Sequence, residues 1–217
     1  MNLEQARFNM IEQQIRPWDV LDAHVLHLLS MVKREAFVPA AHRALAFVDM
    51  EIPLPGGQSM LAPRVEARLL QDLALQKHEK VLEIGSGSGF MAALLAHRAQ
   101  RVISLELDPQ LAQMARTNLQ KAGVFNAEVR HLDGSKELLP EGPFDVILLS
   151  GSLAELPQAL LKWLKVGGRL GAIIGEEPMM RATFVTRLGE DQFRTLQPWD
   201  TVAPRLRNFP QPSRFHF

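Results

Sequence analysis

Three glycines stand at alternate positions in residues 81–90, which read Val-Leu-Glu-Ile-Gly-Ser-Gly-Ser-Gly-Phe. Without side chains at Gly85, Gly87 and Gly89, the backbone can approach a ligand closely, and the helix predicted to follow points its N–H groups at the same place. The dinucleotide fingerprint is excluded, because its third glycine belongs three residues after the second, where Phe90 stands. A hydrolase nucleophile elbow is also excluded, since Gly87 and not a serine is midway between the outer glycines. Two interpretations remain: a ligand-binding turn, or a tight strand-to-helix turn that binds nothing.

Acidic residues stand beside this turn and at the ends of the next two predicted strands. Glu83, two residues before the first glycine, is typical of S-adenosylmethionine sites. Glu106 ends the second strand and could accept both ribose hydroxyls, while Asp133, before Gly134, ends the third and could accept from an adenine amino group. Taken singly, Glu106 could merely cap a helix and Asp133-Gly134 could be an ordinary turn. Because open α/β sheets bind ligands at strand ends, the three acids together predict an S-adenosylmethionine site.

These residues need a frame of strands and helices to bring them together. Hydrophobic periodicity predicts strands over 80–84, 101–105, 128–131, 144–149 and 169–174. It predicts helices over 63–75, from the Gly-rich turn to about 98, from Asp108-Pro109 to Gly123 and over 156–164, and a terminal hairpin at 183–188 and 193–197. Strands that alternate with helices indicate an α/β Rossmann-like fold, with a mainly parallel sheet and a C-terminal antiparallel hairpin.

The N-terminal part is predicted to be a helical extension, residues 1–62, ahead of a Rossmann-like domain over 63–217 in one folding unit. Residues 2–15 have helical spacing that should end before Pro17, and a second helix should start with Asp19 as its N-cap. Residues 49–62 are rich in proline and glycine and predict a long irregular loop, which in a compact domain is often functional.

Composition limits the classes of function. The 217 residues are 47% hydrophobic and carry 24 basic and 24 acidic side chains, a balance that argues against a nucleic-acid-coating protein. The absence of Cys excludes disulfides, thiolate metal sites and cysteine nucleophiles. We find no signal peptide and no membrane-spanning run, so we expect a cytoplasmic protein without a membrane or nucleic-acid partner. We predict no metal site, because nothing in the sequence completes the pair His24 and His27. The charged runs at 176–177 and 205–207 predict solvated surface.

The chain resembles the protein-L-isoaspartate O-methyltransferase family from about residue 6 to residue 174. The resemblance rests on segment 81–90, on Asp133-Gly134, and on the segments Pro143-Phe144-Asp145, Leu156-Pro157-Gln158-Ala159-Leu160 and Leu164-Lys165-Val166-Gly167-Gly168-Arg169-Leu170. It implies a seven-stranded sheet with an antiparallel last strand. It also implies methyl transfer from S-adenosylmethionine to the carboxylate of an isoaspartyl residue in a protein or peptide. Such a carboxylate is ionised at neutral pH, so the site must align it rather than deprotonate it.

The substrate loop departs from the family pattern, which reads Gly-Gln-Thr-Ile-Ser-Gln-Pro. Here the loop is Gly57-Gln58-Ser59-Met60-Leu61-Ala62-Pro63. The candidate catalytic residues are Leu61, at the position of the family's active-site Ser but unable to donate a hydrogen bond, and Ser59, the nearest hydroxyl. The candidate cofactor-binding residues are Gln58, Ser59, Met60, Glu83, Gly85, Ser86, Gly87, Gly89, Glu106, Leu107, Asp133, Gly134 and Ser150. The alternatives left open are a methyltransferase of the same fold with another acceptor, and a non-catalytic S-adenosylmethionine-binding protein.

Overall fold

The computed structural model describes residues 2–136 and 139–211. Its α-helices are α1 (Leu3–Met10), α2 (Ala23–Met31), α3 (Pro63–Leu73), α4 (Phe90–Arg98), α5 (Pro109–Lys121) and α6 (Gln158–Leu161). Its strands are β1 (Ile52–Leu54), β2 (Gln58–Met60), β3 (Lys80–Ile84), β4 (Arg101–Glu106), β5 (Ala127–His131), β6 (Phe144–Leu153), β7 (Leu164–Glu176), β8 (Met179–Arg187) and β9 (Phe193–Thr201). Within those two ranges no helix combines the length and the apolar character needed to cross a membrane.

Seven strands form one sheet in the order β5-β4-β3-β6-β7-β8-β9. The strands from β5 to β7 pair in parallel, β8 is antiparallel to β7, and β9 is antiparallel to β8. This confirms the predicted mainly parallel sheet with a C-terminal hairpin. The strand that runs against the others is β8, so β9 has the direction of the parallel strands. The strand order reverses between β3 and β6, and open α/β sheets bind ligands at such a point, outside the carboxyl ends of the strands.

Helix α5 shows how the local sequence defines an element. The Asp108 carboxylate accepts hydrogen bonds from the N–H groups of Gln110 and Leu111, at 2.8 and 3.2 Å, and Pro109 occupies the first helical position. Gly123, with φ of +70°, follows the end of the helix in the left-handed region. The predicted boundaries of this helix are confirmed, and they place Glu106 at the end of β4 just before the cap.

Two other predicted boundaries are wrong, and so is one predicted loop. The N-cap of α2 is Asp22, which accepts from the N–H of His24 at 2.7 Å, whereas Asp19 has a left-handed backbone with φ of 63°. The helix predicted over 156–164 is a single turn, because β7 already begins at Leu164 and pairs there with Phe144. The loop predicted over 49–62 contains the two-stranded hairpin β1–β2.

The hydrophobic core covers both faces of the sheet and extends into the N-terminal helices. Met10, Ile15 and Val25 are buried in the same cluster as residues of α3 and α4. Burial of each such side chain contributes about 1.5–3 kcal/mol to the stability of the fold. The N-terminal helices are therefore part of the core.

Strand β9 is one edge of the sheet and contains a bulge. Its pairing with β8 shifts register between Leu196 and Trp199, and Pro198, which has no N–H to donate, lies in that stretch. Of the nine residues in β9 only Trp199 is buried.

Candidate active site

A cleft opens at the carboxyl ends of β3, β4, β5 and β6. The structure brings nine of the predicted site residues to its surface: Gln58, Ser59, Gly85, Gly87, Glu106, Leu107, Asp133, Gly134 and Ser150. Apolar side chains complete its walls: Ile84, Leu105, Leu111, Leu132 and Phe209. The cleft thus combines a few polar groups with an apolar lining, as small-molecule sites do.

The Gly-rich turn is fixed against the end of β4, where the N–H of Gly85 donates to the carbonyl of Leu105 at 2.8 Å. Gly85, Gly87 and Gly89 have φ values of +97°, +52° and +85°, a region that L side chains rarely adopt. Gly89 does not line the cleft. A Cβ there would lie 3.1 Å from the Cα of Ala115, so this glycine lets α4 approach α5.

Glu106 organises the turn and also reaches the cleft. Its Oε2 accepts from the N–H of Gly87 at 2.8 Å, and its Oε1 accepts from the N–H of Asp108 at 3.0 Å. Burial raises the pKa of Glu106 above its usual value, against the lowering effect of these backbone hydrogen bonds. Each carboxylate oxygen can accept a further hydrogen bond, so a structural role and contact with a ligand are compatible.

Asp133 likewise belongs to a turn and to the cleft. Its Oδ1 accepts from the N–H of Ser135 at 3.0 Å and from the Ser135 hydroxyl at 2.6 Å, the pattern of an ordinary Asp-Gly turn. Its Oδ2 accepts from the side-chain amide of Asn208 at 2.9 Å. Burial raises the pKa of Asp133, but the hydrogen bonds from Ser135 and Asn208 outweigh it and hold the pKa at about 2. The side chain is therefore an anion at neutral pH.

Glu83 lies behind the turn and not on the surface of the cleft. It is fully buried and accepts from the hydroxyls of Ser104 and Ser150, at 2.5 and 2.8 Å. Ser104 also shares a hydrogen bond of 2.6 Å with the hydroxyl of Ser86. Burial raises the pKa of Glu83 to about 8, although both serines lower it. Glu83 therefore positions Ser150, which does line the cleft.

A second, smaller cavity adjoins the cleft at the Gly-rich turn. The two spaces share four lining residues: Ser59, Gly85, Gly87 and Ser150. The predicted residues Met60, Leu61 and Ser86 line this cavity instead of the cleft. Leu61 is buried, and its carbonyl accepts from Nη2 of Arg34 at 2.8 Å. Both candidate catalytic residues therefore lie beside the Gly-rich turn, with Ser59 adjoining both spaces.

The sequence prediction missed a buried ion pair beside this cavity, between Arg34 and Glu66. Nη1 of Arg34 donates to Oε2 of Glu66, and the guanidinium carbon lies 4.9 Å from the centre of the Phe90 ring. Burial raises the pKa of Glu66 to about 7, in spite of Arg34. A signal was present in the sequence, because Glu66 is a carboxylate on the apolar face of α3, between Val65 and Leu69.

The other missed residues come from residues 203–209, here called the C-terminal strap. The strap runs beside the end of β6. The N–H of Ser152 donates to the carbonyl of Pro204 at 2.7 Å, and its carbonyl accepts from the N–H of Leu206 at 2.9 Å. Leu206 covers Gly85, where a Cβ would lie 2.9 Å from Leu206 Cδ2. The prediction that residues 205–207 are merely solvated surface is wrong, because all three line the cleft.

The C-terminal strap is joined to the β1–β2 hairpin, and together they form a roof over the cleft. Arg207 donates from Nη2 to the carbonyl of Gly56 at 2.6 Å and from Nε to the amide oxygen of Gln58 at 2.8 Å. At the other end Asn208 is bonded to Asp133, and Phe209 is buried in the core. The roof thus spans the polar groups that the sequence placed at the strand ends.

Comparisons with known proteins give relatives for most of the chain. Residues 5–198 match the family model described as protein-L-isoaspartate(D-aspartate) O-methyltransferase. Protein-L-isoaspartate O-methyltransferase 1 of Syntrophobacter fumaroxidans is 41% identical over 176 residues, 81% of this chain and 82% of that protein. The protein-L-isoaspartate O-methyltransferase of Methanoculleus marisnigri is 40% identical over 171 residues, 79% of this chain and 78% of that protein.

One solved structure has the same fold over nearly the whole chain. It is a putative protein-L-isoaspartate O-methyltransferase from Plasmodium falciparum in complex with S-adenosyl-L-homocysteine. Its TM-score is 0.79, and the match covers 95% of this chain and 99% of that one at 21% identity. At that identity the likeness concerns the fold.

Proposed function

The chain belongs to the protein-L-isoaspartate(D-aspartate) O-methyltransferase family, and from this premise we propose that it methylates isoaspartyl carboxylates of damaged proteins or peptides with S-adenosylmethionine. The observation that carries the proposal is the cleft in which the Gly-rich turn, Glu106 and Asp133 meet at adjacent strand ends. The relative from Plasmodium falciparum binds S-adenosyl-L-homocysteine, which is what remains of the methyl donor after transfer.

The groups in the cleft fit this cofactor chemically. Glu106 offers carboxylate oxygens to ribose hydroxyls, and the apolar walls suit a flat base. Oδ2 of Asp133 already accepts from the Asn208 amide, a donor of the kind that an adenine amino group provides. When bound, S-adenosylmethionine supplies an electrophilic methyl group on a positively charged sulfur. We propose the thirteen predicted residues as the cofactor site, with Glu83 and Gly89 acting through the residues they support.

The chain's own task in the reaction is to align the acceptor and exclude water. A carboxylate with a pKa near ~4 is already ionised, so no side chain has to remove a proton. Ser59, which adjoins both cavities, is the donor that we propose for orienting it, while Leu61 supplies apolar surface. Compared with a second hydroxyl at position 61, the missing hydrogen bond costs about 1.5–3 kcal/mol, or about ten- to a hundredfold in rate.

Two measurements on one sample test the proposal. Calorimetry should show binding of S-adenosylhomocysteine, and a turnover assay should show methylation of an isoaspartyl peptide but not of the same peptide with normal aspartate. Binding without methylation of either peptide would support the non-catalytic alternative. Turnover on some other acceptor alone would support a different specificity.

Leu61→Ser should raise isoaspartyl turnover, because it restores a donor beside the Gly-rich turn. Leu61→Ala is the matched control, since both changes remove the same buried isobutyl group and leave similar space. We expect the serine variant to exceed the alanine variant by about tenfold in kcat/KM, with equal affinity for S-adenosylhomocysteine. Equal turnover in the two variants would mean that donors outside the loop hold the carboxylate.

The setting of this activity is part of the same proposal. We propose that the protein acts in the cytoplasm on protein or peptide acceptors, without a nucleic-acid or membrane partner. Its equal numbers of basic and acidic side chains and its lack of Cys support this. We also propose that residues 1–62 and the Rossmann-like domain unfold as one unit, which a single calorimetric transition would test.

A further inference from the structure

We propose that Glu66 binds the ammonium group of the amino-acid part of S-adenosylmethionine, and that the smaller cavity is the pocket for this end of the cofactor. The inference rests on the proposed function, because it assumes that the larger cleft takes the nucleoside. Glu66 belongs neither to the Gly-rich turn nor to the substrate loop, and it was not among the predicted cofactor-binding residues.

The smaller cavity lies directly beside the cleft. It shares Gly85, Gly87, Ser59 and Ser150 with the cleft, so the two spaces meet at the turn. A molecule whose ribose lies at Glu106 and which extends past Gly85 therefore enters the smaller cavity with its other end.

The wall of the smaller cavity contains an acidic side chain. Among the described residues that line the smaller cavity, Glu66 is the one with an ionisable side chain. The ion pair with Arg34 uses Oε2 of Glu66, which leaves Oε1 as the oxygen able to accept from an occupant. Arg34 does not line the cavity, because it is held behind Glu66 by the Leu61 carbonyl and the Phe90 ring. The carboxyl group of Glu66 therefore borders the cavity, and the guanidinium of Arg34 lies on the side of Glu66 away from it.

The carboxylate and the ammonium of an amino acid would each have a partner of opposite polarity in this cavity. The N-terminus of α4, a helix of nine residues, begins at Phe90 on the same cavity, and its free N–H groups favour a carboxylate. Glu66 on the opposite element, α3, favours an ammonium. A buried carboxylate whose pKa is raised by burial gains most when a cation comes to it, because the cation offsets the cost of ionisation.

The test compares two ligands and two variants by calorimetry. S-adenosylhomocysteine contains the amino-acid part, and 5′-methylthioadenosine has the same nucleoside and thioether without it. Glu66→Gln should bind S-adenosylhomocysteine about ten- to a hundredfold more weakly and 5′-methylthioadenosine equally well. The matched control is Glu35→Gln, which alters a second buried pair, Arg7–Glu35. Neither residue of that pair lines either cavity, so this change should alter neither affinity.

The outcomes separate this inference from the proposed function. If wild type binds neither ligand, the proposed function fails. If Glu66→Gln binds both ligands like wild type, the role of Glu66 is overturned and the function stands. If circular dichroism shows that Glu66→Gln does not fold, wild type is compared on S-adenosylhomocysteine and its analogue without the amino group. A loss of about tenfold or more supports an ammonium contact, and equal affinity overturns it.

Discussion

The floor and the roof of the cleft are built in different ways. The floor consists of strand ends and the turns after them, within residues 81–150. Its acid Glu106 is held by the backbone N–H groups of Gly87 and Asp108. The roof joins the β1–β2 hairpin to the C-terminal strap, through Arg207 and Gly56, 151 positions apart. The strap also lies beyond residues 5–198, which match the family model. We therefore expect substitutions in the floor to change the affinity for the cofactor, and substitutions in the roof to change its dissociation rate.

Among the substitutions considered, a change at Glu106 in the floor should weaken cofactor binding most. Glu106→Gln keeps the size of the side chain but removes its charge, and one of its two ends becomes a donor that faces a backbone N–H. The dissociation constant of S-adenosylhomocysteine should rise about ten- to a hundredfold, as for the loss of a hydrogen bond to a charged group. Calorimetry measures this, with circular dichroism as the check on folding. Unchanged affinity in a folded variant would remove Glu106 from the site.

The stability of the floor should also depend on pH, because of Glu83. The folded pKa of Glu83 is raised to about 8, so the native state holds a proton that the unfolded state releases near ~4.5. The free energy of unfolding of the cofactor-free protein should therefore fall as the pH rises between these values, by at most about 1.4 kcal/mol per pH unit from this group. Glu83→Gln should flatten the dependence. Urea titrations at pH 5.5 and 8 measure it, and equal slopes in both proteins would contradict the assignment.

A substitution in the roof should have a smaller effect, on the rate at which the ligand dissociates. Arg207→Ala removes the bonds between the C-terminal strap and the hairpin without touching the floor. Each such bond is worth about 0.5–1.5 kcal/mol, so dissociation of S-adenosylhomocysteine should accelerate about two- to tenfold in stopped-flow experiments. The association rate should change less. Arg194→Ala, on the exposed edge strand β9, is the control, and a dissociation rate equal to its own would show that the strap does not retain the ligand.

The floor could be predicted because its signals are local. Asp108 and Pro109 define the start of α5, and the alternating glycines define the turn, whatever the rest of the chain does. The position of Asp22 as the cap of α2 was not predictable in this way, since Asp19 is an equally good capping residue. Gln71 decides between them: its side chain accepts from the N–H of Asp22 at 3.0 Å and donates to the carbonyl of Asp19 at 2.8 Å. This contact spans about fifty positions and leaves no trace in the local sequence.

The roof could be predicted least. Strands β1 and β2 have three residues each, too few for alternation to show, and Pro53 and Gly56 favour a loop. Leu206 and Arg207 acquire their roles only when β6 brings Ser152 beside them. Glu66 could be predicted in part. Its place on the apolar face of a helix was visible in the sequence, but its ion-pair partner Arg34 was not.

The bulged strand β9 has a consequence for how the protein behaves at high concentration. An open sheet presents unpaired N–H and C=O groups at its edges, to which strands of other molecules can add and start aggregation. Here Pro198 removes a donor from one edge and the register shift breaks its regularity. At the opposite edge β5 carries Glu128 between Arg101 and Arg130, charges that a docking strand would have to desolvate. Both edges therefore oppose the addition of a strand from another molecule.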